Sequence, residues 1–202
     1  LTDYACLALN YPAALANIER VIALMGRGPN EAFEINGHFL SDFNLAIDAQ
    51  AAQYFIDNTS LPFTFMAFSL TRSALVPSSD RQILCDSALV LAAEFFCPAI
   101  LPWLTQWNGI FAEDGFHPWD QNTLYKLIHP EAFDCEPATY QFVDCTAGPC
   151  AGHDASDPSR LASEAVQLWL APTEARTRIE VCTAYAPGGK EAFLDAIFAF
   201  AK

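Results

Sequence analysis

The sequence predicts an α/β fold, a mostly parallel open sheet with flanking helices, and three observations lead there. Two short apolar runs, residues 20–24 and 62–70, are separated by one helical pattern, which makes a βαβ unit with parallel strands. Past the first run the chain breaks at Gly26, Gly28 and Pro29 and gathers polar residues, at the strand end where open α/β sheets place their ligands. Finally, residues 177–185 alternate like a strand and run into a closing helix after Gly188-Gly189.

At 202 residues with 52% hydrophobic content, the chain suits one domain spanning 1–202 with a substantial core. It opens at Leu1 directly on a helix-start pattern with no lead-in strand, which is expected of part of a longer domain, incomplete at its amino terminus. Net charge is −14, from 24 acids against 10 Lys and Arg, and no basic patch is present, so nucleic acid is excluded as a partner. The most apolar stretch, 87–107, contains Glu94, Pro98 and Pro102, which argues against a membrane span. Seven cysteines scattered through the chain, an odd number, fit reduced buried thiols better than a disulfide framework. With no signal peptide visible, the cytoplasm is the expected compartment.

Residues 3–18 read as helix, capped by Thr2 or Asp3 and interrupted near Pro12. The buried strand 20–24 follows. Asp48 is placed to cap a helix through Ala49, Ala52, Phe55 and Ile56, ending near Asn58. Residues 62–70 form the second strand, with Thr71 and Arg72 at its far end. Residues 77–108 have a helical pattern bent by Pro98 and Pro102. The turn from Phe116 to Asp120 opens a helix over 121–129 that stops before Pro130. Residues 139–145 and 177–185 alternate and are expected to pair. Between them lies a Gly, Pro and Asp-rich loop, 146–160, then a short amphipathic stretch. The last helix carries Phe193, Leu194, Ile197, Phe198 and Ala201 on one stripe.

The chemistry-bearing candidates fall in three places. Asp42 and Asn44, two apart in an extended segment, point the same way, and Asn36 lies six residues earlier in the same loop. A carboxylate with amides suits the hydroxyls of a sugar, which need acceptors and donors together. The plainer reading makes these loop and cap residues, with Asn36-Gly37 forming a turn. Asp120, at a helix start, is either an N-cap or an oxygen ligand for a hard cation, with His117 and Trp119 beside it as proton donor and stacking surface. Cys135, Cys145, Cys150 and His153 offer a soft-ligand set for zinc, although their spacing is longer than in zinc knuckles and a packed loop is the plainer reading. There is no phosphate-binding glycine loop and no nucleophile elbow.

Taken together, these stretches resemble the inosine-uridine nucleoside hydrolase family over its carboxyl-terminal two-thirds. Leu1-Thr2-Asp3-Tyr4-Ala5 is similar to the GPLTN(I/L)A helix start without its GP. Residues 20–26, RVIALMG, resemble the strand ending in MGG. Asp42-Phe43-Asn44 with residues 47–52 resembles EFNIxxDPEAA. Pro118-Trp119-Asp120 with Leu124 and His129-Pro130-Glu131 resembles the HDxxA helix and its following PE turn. The closing IEVCTAYA and helix fit the family's last strand and helix.

The resemblance implies a Rossmann-like core and cleavage of the N-glycosidic bond of a small-molecule nucleoside to base and ribose. It implies calcium as the metal, with Asp120 a ligand, and Met25, Asn36, Asp42 and Asn44 around the ribose. A homo-oligomer is also implied as an open state of assembly. The departures matter equally. The family's DxDxxxDD motif, source of the catalytic base and most metal carboxylates, is absent, so this chain alone is expected to be inactive. Asp42 stands where the family has Glu. Trp119 stands where many members have the His that assists the leaving base, leaving His117 or Trp119 stacking as substitutes and the catalytic residue unassigned. The competing readings are an inactive homologue that binds a ligand or partner, and an unrelated α/β protein with a structural zinc loop.

Overall fold

A computed structural model of the chain describes residues 1–29, 31–80, 85, 94, 97–146, 150 and 165–199. The described chain forms two compact units, each assembled from two stretches. The first holds Leu1–Ser69 and Cys135–Thr183, the second Leu70–Asp134 and Ala184–Lys202.

The first unit opens with helix α1 (Thr2–Asn10) and a 3₁₀ turn begun by Pro12, then strand β1 (Val21–Leu24). A small hairpin follows, β2 (Glu34–Ile35) and β3 (His38–Phe39), then helices α2 (Phe43–Ala46) and α3 (Ala49–Asn58). Strand β4 (Phe63–Met66) completes the expected βαβ unit, paired parallel with β1 from Val21↔Phe63 to Leu24↔Met66. Three more strands of this sheet come from later in the chain: β7 (Phe133–Asp144), β8 (Val166–Pro172) and β9 (Ile179–Tyr185). The order across the sheet is β1-β4-β9-β7-β8. Pairs β1–β4 and β4–β9 are parallel, and β7–β8 is antiparallel. The expected α/β architecture is what the chain adopts, and the expected neighbours 139–145 and 177–185 lie on adjacent strands.

Helix α3 forms where its cap dictates. Asp48 accepts the Ala51 amide at 3.0 Å, and its other oxygen accepts the Thr2 hydroxyl at 2.9 Å, fastening α1 to α3. Ala52, Phe55 and Ile56 recur at helical spacing and are all buried. The Phe55 ring meets Phe63 edge-on at 5.6 Å, and Phe63 stacks on Phe65 at 5.7 Å. All four residues of β4 are buried, as a central strand with parallel neighbours on both sides requires. Each such ring contributes roughly 2–3 kcal/mol of burial.

Several elements differ from expectation, among them β7, which starts at Phe133 rather than at 139. The second strand ends at Met66, because Phe68–Arg72 turns into a short helix, α4. The run 62–70 is apolar except for Thr64 and Ser69, so no sustained change of polarity marks the switch from a two-residue to a 3.6-residue period. Strand β8 replaces the expected short amphipathic stretch. Its sequence alternates weakly, and it becomes a strand by pairing with β7 from Ala138↔Pro172 to Asp144↔Val166.

The second unit contains strands β5 (Val76–Pro77) and β6 (Gly115–Phe116), helices α5 (Cys97–Phe111), α6 (Gln121–Ile128) and α7 (Gly189–Ala199). Much of the expected helix 77–108 lies outside the described residues; what is described starts in β5 and ends in α5. Leu194, Ile197 and Phe198 pack on Val76, Leu104 and Phe116, as the stripe on the last helix predicts, while Ala201 lies outside the described residues. Tyr125, Phe133, Tyr185 and Phe193 form an aromatic cluster with ring centroids 5.2–6.1 Å apart. Gly189 is glycine because a Cβ there would collide with the Ala132 carbonyl.

The cysteines overturn the expectation of reduced thiols. Cys85–Cys97, Cys135–Cys182 and Cys145–Cys150 are disulfides, and Cys6 on α1 is free and exposed. The zinc reading of Cys135, Cys145 and Cys150 falls with it, since sulfurs bonded to one another are not thiolate ligands. His153 lies outside the described residues, and among the described residues no group of three or more His, Cys, Asp or Glu could hold a metal. No helix among the described residues is long and apolar enough to cross a membrane.

Candidate functional site

The first candidate site is the loop beyond β1. Strand β1 delivers Met25, which is buried, and then Gly26 at φ +84°. A Cβ on Gly26 would lie 2.6 Å from Leu170 Cδ1, so conformation and space both require glycine. Asp42 is the hub of the loop. Its Oδ2 accepts the Gly26 amide at 2.6 Å, and its Oδ1 accepts the Leu45 amide at 3.1 Å, capping α2. Burial pushes the Asp42 carboxyl above the ordinary carboxylate range, opposed by the Gly26 and Leu45 amides and by Arg27. Asn44 donates from Nδ2 to the Leu24 carbonyl at 2.8 Å, closing the turn from its other side.

Met25, Asp42 and Asn44 are brought together, but not through the expected extended segment: Asp42 is the N-cap of α2 and Asn44 lies within that helix, so both meet the end of β1 from a helix start. Asn36 has a different place. It sits with Gly37 between β2 and β3, at φ +49° and +84°, the two positive values of a two-residue I′-type hairpin turn, and it is exposed. The turn reading of Asn36-Gly37 describes its backbone.

Sequence reasoning missed Arg27. It is 1% exposed, its guanidinium lies 3.7 Å from the Phe33 ring centroid, and Phe33 stacks on Phe68 at 4.1 Å. Its backbone is held as firmly: Arg27 N donates to Leu168 O at 3.0 Å, and Leu170 N donates to Arg27 O at 2.8 Å. The edge strand β8 is thus tied to the end of β1. The one signal available was a single cation after an apolar strand in a chain with few basic residues.

The second candidate site, in the second unit, surrounds His117. Its Nδ1 lies 2.9 Å from the Ala74 carbonyl and its Nε2 lies 2.9 Å from Glu113 Oε2. Both partners are acceptors, and a neutral ring donates to only one of them at a time. Glu113 also accepts the Trp107 indole N–H at 3.3 Å and lies 3.8 Å from the Arg72 guanidinium. Trp119 packs on the His117 ring at 4.7 Å. Glu113 was missed, since Gly115 between it and His117 removes the helical period that would have linked them.

Asp120 is exposed at the N-cap position of α6, and its side chain makes no cap hydrogen bond. A calcium ion takes six to eight oxygens. One exposed carboxylate, with no acidic cluster among the described residues, does not make such a site, so the residues present do not by themselves fit the metal.

No protein-family model matches this sequence, and no curated protein sequence matches it. Its fold does match solved structures. Among them is a purine-preferring ribonucleoside hydrolase from Gardnerella vaginalis, with a TM-score of 0.66 and 18% sequence identity. The match covers 100% of this chain and 58% of that one, so the chain spans less than two-thirds of its neighbour's length. At that identity the likeness shows a shared, nucleoside hydrolase-like fold.

Proposed function

We propose that this chain carries the ribose-side half of a nucleoside N-ribohydrolase, which cleaves the N-glycosidic bond of purine or pyrimidine ribonucleosides to base and ribose. The observation that supports it is the loop of Met25, Gly26, Asp42 and Asn44 beyond β1, in a fold that all of this chain shares with 58% of a ribonucleoside hydrolase. A carboxylate and an amide held rigid at a strand end match a diol, because sugar hydroxyls both donate and accept. Asp42 and Asn44 fix the backbone around the end of β1, through Gly26, Leu45 and Leu24. Glycosidic cleavage also needs a group to take the proton of the attacking water and a group to protonate the departing base. Neither is assigned among the residues gathered here. His117 is engaged at both nitrogens, and Trp119 offers a stacking face instead.

The reaction therefore belongs to a polypeptide that also carries the DxDxxxDD carboxylates, and the 202-residue chain alone is expected to bind without turnover. Reducing-sugar release from inosine and from uridine, with calcium or with a chelator, tests this in a polypeptide bearing that motif ahead of the chain. Release that depends on calcium is expected. No release with the motif in place overturns the enzyme reading and leaves a ligand-binding module.

A further inference from the structure

Two of the three disulfides bracket a single strand. Cys135, near the start of β7, is bonded to Cys182 on β9, and Cys145, the residue after β7, is bonded to Cys150. Cys182 and Cys145 are fully buried. Strand β7 carries β8 along seven residue pairs, and β8 in turn holds the loop beyond β1. That hold consists of the Arg27–Leu168 and Leu170–Arg27 backbone bonds and of Leu170 packed beneath Gly26. An isolated two-stranded ribbon is marginally stable, so its position depends on how β7 is joined to β9. The Thr177 hydroxyl reaches the Ala138 carbonyl at 2.9 Å farther along that join, and the Cys135–Cys182 bond is its covalent part.

We infer that Cys135–Cys182 is a redox-sensitive clamp on the loop beyond β1, and that the chain is built for an oxidising compartment in which such bonds persist. Intact, the bond fixes the β7–β8 ribbon against β9 and keeps Leu168 and Leu170 under Gly26 and Arg27. Two equivalents of a small-molecule thiol open it. The first attacks as thiolate at the half-buried Cys135 sulfur, releasing Cys182 as a thiolate that takes up a proton; the second displaces Cys135, leaving two cysteine thiols and the reductant's own disulfide. The ribbon then loses its covalent tie, and the loop loses support from β8 while β1, β4 and α3 keep theirs. The inference does not depend on the proposed activity.

Alkylation of the chain unfolded without reductant, read by mass, is expected to give one adduct, at Cys6, and seven after reduction. Seven adducts without reductant overturn the pairing. Amide hydrogen exchange then tests the clamp in the oxidised chain, in glutathione buffer that opens Cys135–Cys182, and in a Cys135→Ser/Cys182→Ser variant. Protection at the Arg27 and Leu170 amides is expected to fall at least tenfold, with the Val21 and Ala52 amides unchanged. Unchanged protection at Arg27 and Leu170 once the bond is open overturns the clamp, and so does an equal loss at all four amides. So too does the same selective loss on opening Cys145–Cys150 alone. If the double variant does not fold, the partially reduced wild-type chain carries the measurement.

Discussion

The loop beyond β1 and the His117 turn both collect polar side chains in buried surroundings, yet they use them in opposite ways. Asp42 and Asn44 bond to backbone groups, at Gly26, Leu45 and Leu24, so their chemistry shapes the chain. In the His117 turn, Glu113 bonds to side chains, an imidazole and an indole, and lies beside a guanidinium. A side chain bonded to an amide substitutes for missing secondary structure, whereas side chains bonded to one another depend on charge and protonation. The first region should therefore respond to loss of geometry, and the second to loss of charge.

The largest effect is expected from Gly26→Ala. A left-handed φ disfavours the Cβ by about 1–2 kcal/mol, and the clash with Leu170 adds about 1–3, so urea denaturation should show a loss of about 2–5 kcal/mol. A loss below about 1 kcal/mol would mean that the loop relaxes freely and is no rigid cradle. Asp42→Ala comes next. It strips acceptors from two amides and removes the α2 cap, and should destabilise by about 2–3 kcal/mol. Equal stability of Asp42→Ala and wild type would erase the contrast between the regions.

Glu113→Gln keeps the shape but removes the charge beside Arg72 and His117, with an expected loss of about 1–2 kcal/mol that shrinks in high salt. A loss independent of salt would place this turn in the same class as the loop. The smallest effect is in pH dependence. Because burial raises the Asp42 carboxyl, the folded chain holds that proton more tightly than the unfolded chain. Its contribution is complete below the ordinary value of about 3.9 and is lost as pH rises through the folded value. Stability of wild type relative to Asp42→Asn, measured at steps upward from about pH 4, should therefore fall. A rise would show that the two amides and Arg27 outweigh burial.

Much of this was readable in the residues. Asp48 and the spacing of Ala52, Phe55 and Ile56 marked α3 because a cap and a 3.6-residue period are local properties. The apolar run before Gly26 located the loop at a strand end, whereas the spacing of Asp42 and Asn44 suggested an extended segment and the chain instead turns there into α2. The turn at Asn36-Gly37 was legible in the dipeptide, since few residues accept positive φ. The stretch 62–70 misled, because a mostly apolar run hides where a strand becomes a helix.

The sequence by itself thus determined the α/β class, the capped helix between two parallel strands and the position of the polar loop. All of these follow from neighbours a few residues apart or from composition. The fold decided the rest. Cys135 found Cys182 across 47 residues, Arg27 found Phe33 and the backbone of β8, and Glu113 found Arg72 and Trp107. Those partners are set by which strands come to lie side by side, and that depends on packing of the whole unit, which no local period records.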